Sequence, residues 1–156
     1  MKNITIQKGN CEVSAQLNIL LEQHIETTIF LQRCHWNITG SAFLTLHQMF
    51  EQAYLDYFKI QDEIAERIRI LGGYVNFVAT ERIQALNTNL HDQNTSDREI
   101  IQSAIECHDM NAQLAEECVK TASKYEDLVS EDLCVSLISM YQKFGWMLRS
   151  LLSQRS

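Results

Sequence analysis

Proline is absent from this 156-residue chain, and glycine occurs only at Gly9, Gly40, Gly72, Gly73 and Gly145. Turn-rich β architectures need both residues as punctuation, so their scarcity points to a few long helices. No stretch approaches ~18 uninterrupted apolar residues, so no transmembrane helix is expected. The opening Met1-Lys2-Asn3-Ile4-Thr5-Ile6-Gln7-Lys8 lacks an apolar run of signal-peptide length. The five cysteines (Cys11, Cys34, Cys107, Cys118, Cys134) form no CxxC pair. With no export signal, reduced thiols and a cytoplasmic location are expected. Basic charge is also scarce: 13 Lys and Arg face 20 Asp and Glu, a formal net charge of −7. That balance argues against binding nucleic acid by charge alone. What the chain does have is apolar material, 46% of its residues, enough for one globular core.

Residues 1–11 read as a short tail and 12–156 as a single domain. From about Glu12 to Asn37, apolar residues including Leu17, Leu20, Leu21, Ile25 and Leu31 recur at helical steps, until Gly40 and Ser41 break the pattern. A second helix is predicted from about Ala42 to Leu71, stopped by Gly72-Gly73. Residues 74–95 form a long connection, with a short helix over Thr80–Leu86 and a polar loop from Asn87 to Thr95. Ser96 and Glu99 have capping-box spacing and open a third helix to about Lys124. Ser130 is the expected cap of a fourth, ending near Ser153. Short, long and short connections between four long helices predict an all-α, ferritin-like four-helix bundle with one crossover.

The densest set of potential metal ligands is His35, His47, Glu51, Asp62 and Glu66. His47 and Glu51 are an i, i+4 pair on the second helix, and Asp62 and Glu66 are another. Eleven residues at about 100° each make three turns plus roughly 20°, so both pairs lie on nearly one stripe. They are about 16 Å apart along the axis, whereas metal–ligand bonds are about 2 Å long. One straight helix cannot bring all four groups to one ion. Two copies packed antiparallel about a two-fold axis between residues 51 and 62 can, giving two equivalent sites per dimer. His35 could add a ligand after the Gly40 turn. Two imidazoles and up to three carboxylates suit iron, manganese or zinc. An intra-bundle di-iron site of the usual kind needs Glu-x-x-His, and no Glu in this chain has His three positions on. Against the shared site stands the plainer reading of solvated carboxylates and a hydrogen-bonded interface histidine.

The runs His35-Trp36-Asn37-Ile38-Thr39-Gly40, Phe43-Leu44-Thr45-Leu46-His47-Gln48-Met49-Phe50-Glu51 and Asp62-Glu63-Ile64-Ala65-Glu66-Arg67-Ile68-Arg69-Ile70-Leu71-Gly72-Gly73 resemble the Dps family of mini-ferritins. The ending Trp146-Met147-Leu148-Arg149-Ser150-Leu151-Leu152 is similar to that family's last helix. The likeness spans about 12–153, and 35–73 is its specific part. It implies a hollow homododecamer built from two-fold dimers, which oxidises Fe(II), with hydrogen peroxide as preferred oxidant and O2 slower, and stores Fe(III) mineral against oxidative damage. By the same resemblance, His35, His47 and Glu51 of one chain and Asp62 and Glu66 of its two-fold partner hold the iron. Zinc or manganese are other possible occupants. Trp36, beside His35, would be a packing residue or a radical sink. Asp127 and Asp132, with Glu126 and Glu131 adjacent, fall where the family has negative pores through which iron enters. Rings of carboxylates there would concentrate cations.

Some family members coat DNA through a Lys-rich tail. Here the first eleven residues carry only Lys2 and Lys8, and the C-terminal region only Arg155, so DNA binding is not expected. Tyr74-Val75-Asn76-Phe77-Val78 stands where the family often has a proline-containing stretch, and Tyr141-Gln142-Lys143 where His-Glu-Lys is commoner. Cys34 is read as a small buried hydrophobe, and His24, His91 and His108 as structural or surface residues. Two other functions stay open at this stage: a metal-holding shell without turnover, and a DNA-compacting protein.

Overall fold

The computed structural model describes residues 2–76 and 95–153. Four helices account for nearly all of them: α1 Lys2–Asn37, α2 Phe43–Ile70, α3 Asp97–Lys124 and α4 Leu128–Ser153. The helix expected over Thr80–Leu86, the loop that follows it, His91 and Arg155 lie outside the described residues.

Contacts at the helix ends fix the topology. The amide of Thr39, in the α1–α2 turn, faces the Asp97 carboxylate at the start of α3. At the opposite end, a Cβ on Gly73 would meet Ser14 near the start of α1, and one on Gly9 would meet Tyr125 just after α3. Hence α2 and α3 run the same way, and α1 and α4 run against them. The end of α2 and the start of α3 therefore lie at opposite ends of the bundle, about 42 Å apart along the axis for a 28-residue helix. Laterally, α1 packs on α2 and α3, and α3 packs on α4.

The ends form for local reasons. α2 stops at Gly72, which adopts φ +86°. The Gly73 amide donates to the Ile68 carbonyl and the Gly72 amide to that of Arg69, the double closure of a Schellman motif. Ser96 caps α3 with the reciprocal Glu99 contact that its spacing predicts.

Two boundaries differ from expectation. The segment expected as a tail is the first part of α1, where Gly9 fits beneath the Tyr125 ring and Glu12 pairs with Lys124. Asp127, not Ser130, caps α4: its carboxylate accepts from the Ser130 amide at 3.1 Å and from the Ser130 hydroxyl at 2.6 Å. The reason lies one residue earlier. Glu126 takes φ +57°, and the Asp127 amide closes back onto the Ala122 carbonyl. The turn is therefore so tight that Asp127 ends one helix and starts the next.

The core is a continuous apolar cluster that includes Leu17, Leu20, Leu31, Phe50, Ile64, Ile68, Ile101 and Leu137. Burying such side chains stabilises by about 1.5–3 kcal/mol each. Among the described residues no helix is long and apolar enough to cross a membrane.

Candidate metal centre

Gly40 makes the α1–α2 turn possible. It sits at φ +82°, and a Cβ there would lie 2.5 Å from Asp97 Oδ2. This turn folds the end of α1 onto the start of α2 and sets His35 against His47. Their rings stack with centroids 3.8 Å apart and planes 22° from parallel. His35 Nδ1 lies 2.8 Å from the His47 carbonyl oxygen, and His47 Nδ1 lies 2.8 Å from the His35 carbonyl oxygen. A carbonyl only accepts, so both Nδ1 atoms carry hydrogen. That leaves Nε2 as the nitrogen free to ligate in both rings, the arrangement that second-shell carbonyls impose on metal-binding imidazoles. Replacing Gly40 with Ala adds a left-handed strain of about 1–2 kcal/mol and forces the Asp97 contact open. We expect a lower melting temperature and a loss of metal affinity together, checked by calorimetry and by cobalt(II) titration.

His35 is buried and His47 half-buried, while Glu51, one turn further along α2, is exposed. Asp62 and Glu66 are exposed on the same helix, well beyond bonding reach of that trio. Among the described residues, no three His, Cys, Asp or Glu side chains of one chain group tightly enough to hold a metal ion. Between the two acidic ends lies an apolar surface. Phe58 is 63% exposed and Leu55 49% exposed. A groove of about 460 Å³ runs beside them, lined also by Ile25, Ile29, Tyr54 and Gln61. Trp36 is turned out to solvent rather than packed inside the bundle.

Around the proposed pore, Asp132 and Glu126 are exposed and Glu131 is half-buried. Asp127 is held within the chain, with its Oδ1 2.7 Å from Arg67 Nη2. Partial burial works to raise its pKa, but the Ser130 hydroxyl and amide and the Arg67 guanidinium outweigh this and hold the carboxyl below its ordinary value.

Four of the cysteines are buried and Cys11 is exposed. Burial raises the Cys34 thiol well above its usual value and pushes Cys107 up to about 12. The contact with Cys118, then burial, also raises Cys134. Thiolate is the reactive form, so these sulfurs act as small hydrophobes. A disulfide-exchange reagent should label one thiol per native chain quickly and the other four only on unfolding. Fast labelling of two or more would contradict this.

The model of the ferritin-like domain matches residues 14–156 of this chain. The chain belongs to the ferritin-like family. DNA protection during starvation protein 2 from Bacillus anthracis is 27% identical, over 80% of this chain and 85% of its own length. The DNA protection during starvation protein of Mycolicibacterium smegmatis is 26% identical, over 96% of this chain and 84% of its own length. Among solved structures, a DPS protein from Vibrio cholerae O1, described as one of the ferritin-like diiron-carboxylate proteins, superposes with a TM-score of 0.82 at 25% identity. It covers 94% of this chain and 92% of that one. The resemblance to the Dps branch read from residues 35–73 is borne out by these relatives.

In this ferritin-like bundle the centre is polar, which sequence reasoning missed. His24 and His108 are fully buried, with Tyr57 and Tyr141 between them. His24 Nε2 lies 2.7 Å from the Tyr57 carbonyl oxygen and its Nδ1 2.7 Å from the Tyr141 hydroxyl. The Tyr57 hydroxyl lies 2.8 Å from His108 Nδ1. Burial lowers His24 to about 4, against a small upward pull from the Tyr57 carbonyl. Burial, with the nearby Arg149 charge, lowers His108 to about 3. A signal was available: His24 continues the stripe of Leu17, Leu20 and Leu21, and His108 that of Ile101, Ala104 and Ile105.

Proposed function

We propose that this chain is a Dps-type mini-ferritin: a ferroxidase that oxidises Fe(II) with hydrogen peroxide, and more slowly with O2, and stores the Fe(III). The observation that carries the reading is the reciprocal carbonyl anchoring of His35 and His47. It leaves Nε2 as the ligating nitrogen of two stacked imidazoles, with His47 one helical turn before Glu51 on α2. Iron is the substrate here. A mixed imidazole and carboxylate donor set suits Fe(II), and also zinc or manganese. Carboxylates favour the harder Fe(III), easing removal of an electron from each ion. Two Fe(II) supply both electrons that peroxide needs, so H2O2 and two protons become two waters with no one-electron oxygen product.

The trio is completed, in this reading, by Asp62 and Glu66 of a two-fold partner. Supporting this is the exposed apolar surface of Leu55 and Phe58, which sits midway along α2 between Glu51 and Asp62. An antiparallel pairing of α2 helices about that midpoint buries the patch and brings the acidic ends to the histidines. Six such dimers would close the hollow homododecamer, with Asp132, Glu126 and Glu131 lining the pores. Asp127, already neutralised by Arg67, would shape the turn that carries them. With a net charge of −7, the shell should leave DNA in solution at physiological salt. A cytoplasmic role in oxidative stress follows from the same reading.

Anaerobic Fe(II) loading followed by peroxide tests it. Rapid growth of Fe(III) absorbance at about one H2O2 per two Fe(II), with the iron staying soluble, is the expected result. Oxidation no faster than in protein-free buffer would leave a metal-holding shell without turnover.

A further inference from the structure

The polar centre of the bundle is costly if its only role is to fill space. Four large side chains, His24, Tyr57, His108 and Tyr141, are each 0–1% exposed, where aliphatic residues would pack without any hydrogen bond to satisfy. Their arrangement is chemically directional. His24 Nε2 faces the Tyr57 main-chain carbonyl, so it carries the hydrogen and leaves a lone pair on Nδ1. The Tyr141 hydroxyl, 2.7 Å from that nitrogen, must donate to it. A phenol aimed at a neutral imidazole can lose its electron and its proton together, the proton moving along a hydrogen bond already in place.

Aromatic rings stand at intervals from the His35 end to the bundle centre. Tyr54 meets His35 edge-on at 5.5 Å. Tyr57 is one turn further along α2, on the neighbouring face position. Its ring stacks on His24 at 4.4 Å and stands 5.3 Å from Tyr141.

We infer that the Tyr141–His24 pair is a buried sink for one-electron oxidants, fed from the His35 end of the molecule through Tyr54 and Tyr57. The oxidant is hydroxyl radical, formed when peroxide meets a single Fe(II) instead of a pair. Tyr141 gives up one electron and its phenolic proton passes to His24 Nδ1. The radical leaves as hydroxide, and the chain holds a neutral tyrosyl beside an imidazolium. The next Fe(II) resets the pair: it yields one electron, the imidazolium returns its proton to the phenoxyl oxygen, and Fe(III) leaves for storage. Of the two imidazoles in the centre, His24 is the better holder of a transient proton. Its far N–H is already bonded to a carbonyl, whereas the Arg149 charge bears on His108. The inference rests on the proposed iron chemistry only for the source of its oxidant, and the test separates the two.

Metal-free assembled protein is flash-oxidised with a photogenerated ruthenium(III) polypyridyl complex and examined by freeze-quench electron paramagnetic resonance. Expected is a tyrosyl signal that forms more slowly in D2O, is lost in Tyr141→Phe, and decays faster when Fe(II) is added. The phenylalanine keeps the ring, so near-native circular dichroism is expected. Should that variant not fold, His24→Gln in the wild-type background must still abolish the deuterium effect. An undiminished signal in folded Tyr141→Phe, or no tyrosyl signal in the wild type, overturns the sink. The same signal should follow addition of excess peroxide to sparsely iron-loaded protein. If light produces it and iron with peroxide does not, the sink stands and the iron reading fails.

Discussion

Two inactive variants should restore activity when assembled together. Removing His47 and Glu51 in one chain, or Asp62 and Glu66 in another, deprives every site of two of its five donors. Loss of a single second-shell partner already costs 10–100-fold, so each variant alone should fall by about 10²-fold or more in peroxide-driven Fe(II) oxidation. In a mixed dimer the geometry is asymmetric. One site receives both damaged halves, and the other receives the intact trio of one chain and the intact carboxylates of its partner. Random co-refolding makes half the dimers mixed, so about a quarter of all sites should be whole and about a quarter of wild-type activity should return. A site confined to one chain would show no recovery at any mixing ratio. Asp62 and Glu66 are exposed and lie too far along α2 to join their own chain's His35 and His47.

Acid should weaken the fold well above the range in which carboxylates titrate. His24 and His108 are lowered from 6.5 to about 4 and about 3 by burial among apolar helices. Below pH 6.5 the unfolded chain takes up protons at both residues and the folded chain does not. Stability is therefore fully present above pH 6.5 and declines as the pH falls, until the folded-state values are reached. Each histidine contributes a slope of about 1.4 kcal/mol per pH unit, or about 3 kcal/mol each between pH 6.5 and 4. Against a typical total of ~5–15 kcal/mol, that loss is large. Asp127 acts lower down: its depressed carboxyl stabilises above about pH 4 and gives this up only beneath it. Guanidinium unfolding at pH 7.5 and pH 5 measures the effect. Equal midpoints would show that the two imidazoles exchange protons freely in the folded state. The paired change His24→Leu with Tyr141→Phe removes both partners of one hydrogen bond. It should flatten the slope by about one histidine's share.

Local chemistry was legible along the chain wherever neighbours in sequence are also neighbours in space. The Ser96–Glu99 box and the Gly72–Gly73 stop depend on contacts between residues close in sequence, and the core stripe of α1 on the helical period; each formed as read. The i, i+4 pairs of α2, and their separation, follow from helix geometry in the same way. So did the conclusion that one chain cannot gather all four groups, which is arithmetic on a rigid rod.

Tertiary packing settled the rest. Asp127 displaced Ser130 as the cap because the chain closes tightly at Glu126, and Arg67, 60 residues away in sequence, holds the same carboxylate. The first eleven residues looked like a tail because they carry little apolar signal. Their helix is held in part by Gly9 fitting beneath Tyr125 and by Glu12 pairing with Lys124, contacts that no short window contains. The tautomers of His35 and His47 depend on carbonyls contributed across the Gly40 turn. The His24–Tyr141 hydrogen bond joins residues 117 apart in sequence. A sequence places residues on a face of a helix through the 3.6-residue period. Which atom a polar side chain meets there depends on the neighbouring helix. For a donor or acceptor buried in a low-dielectric core, that partner determines both its protonation and its chemistry.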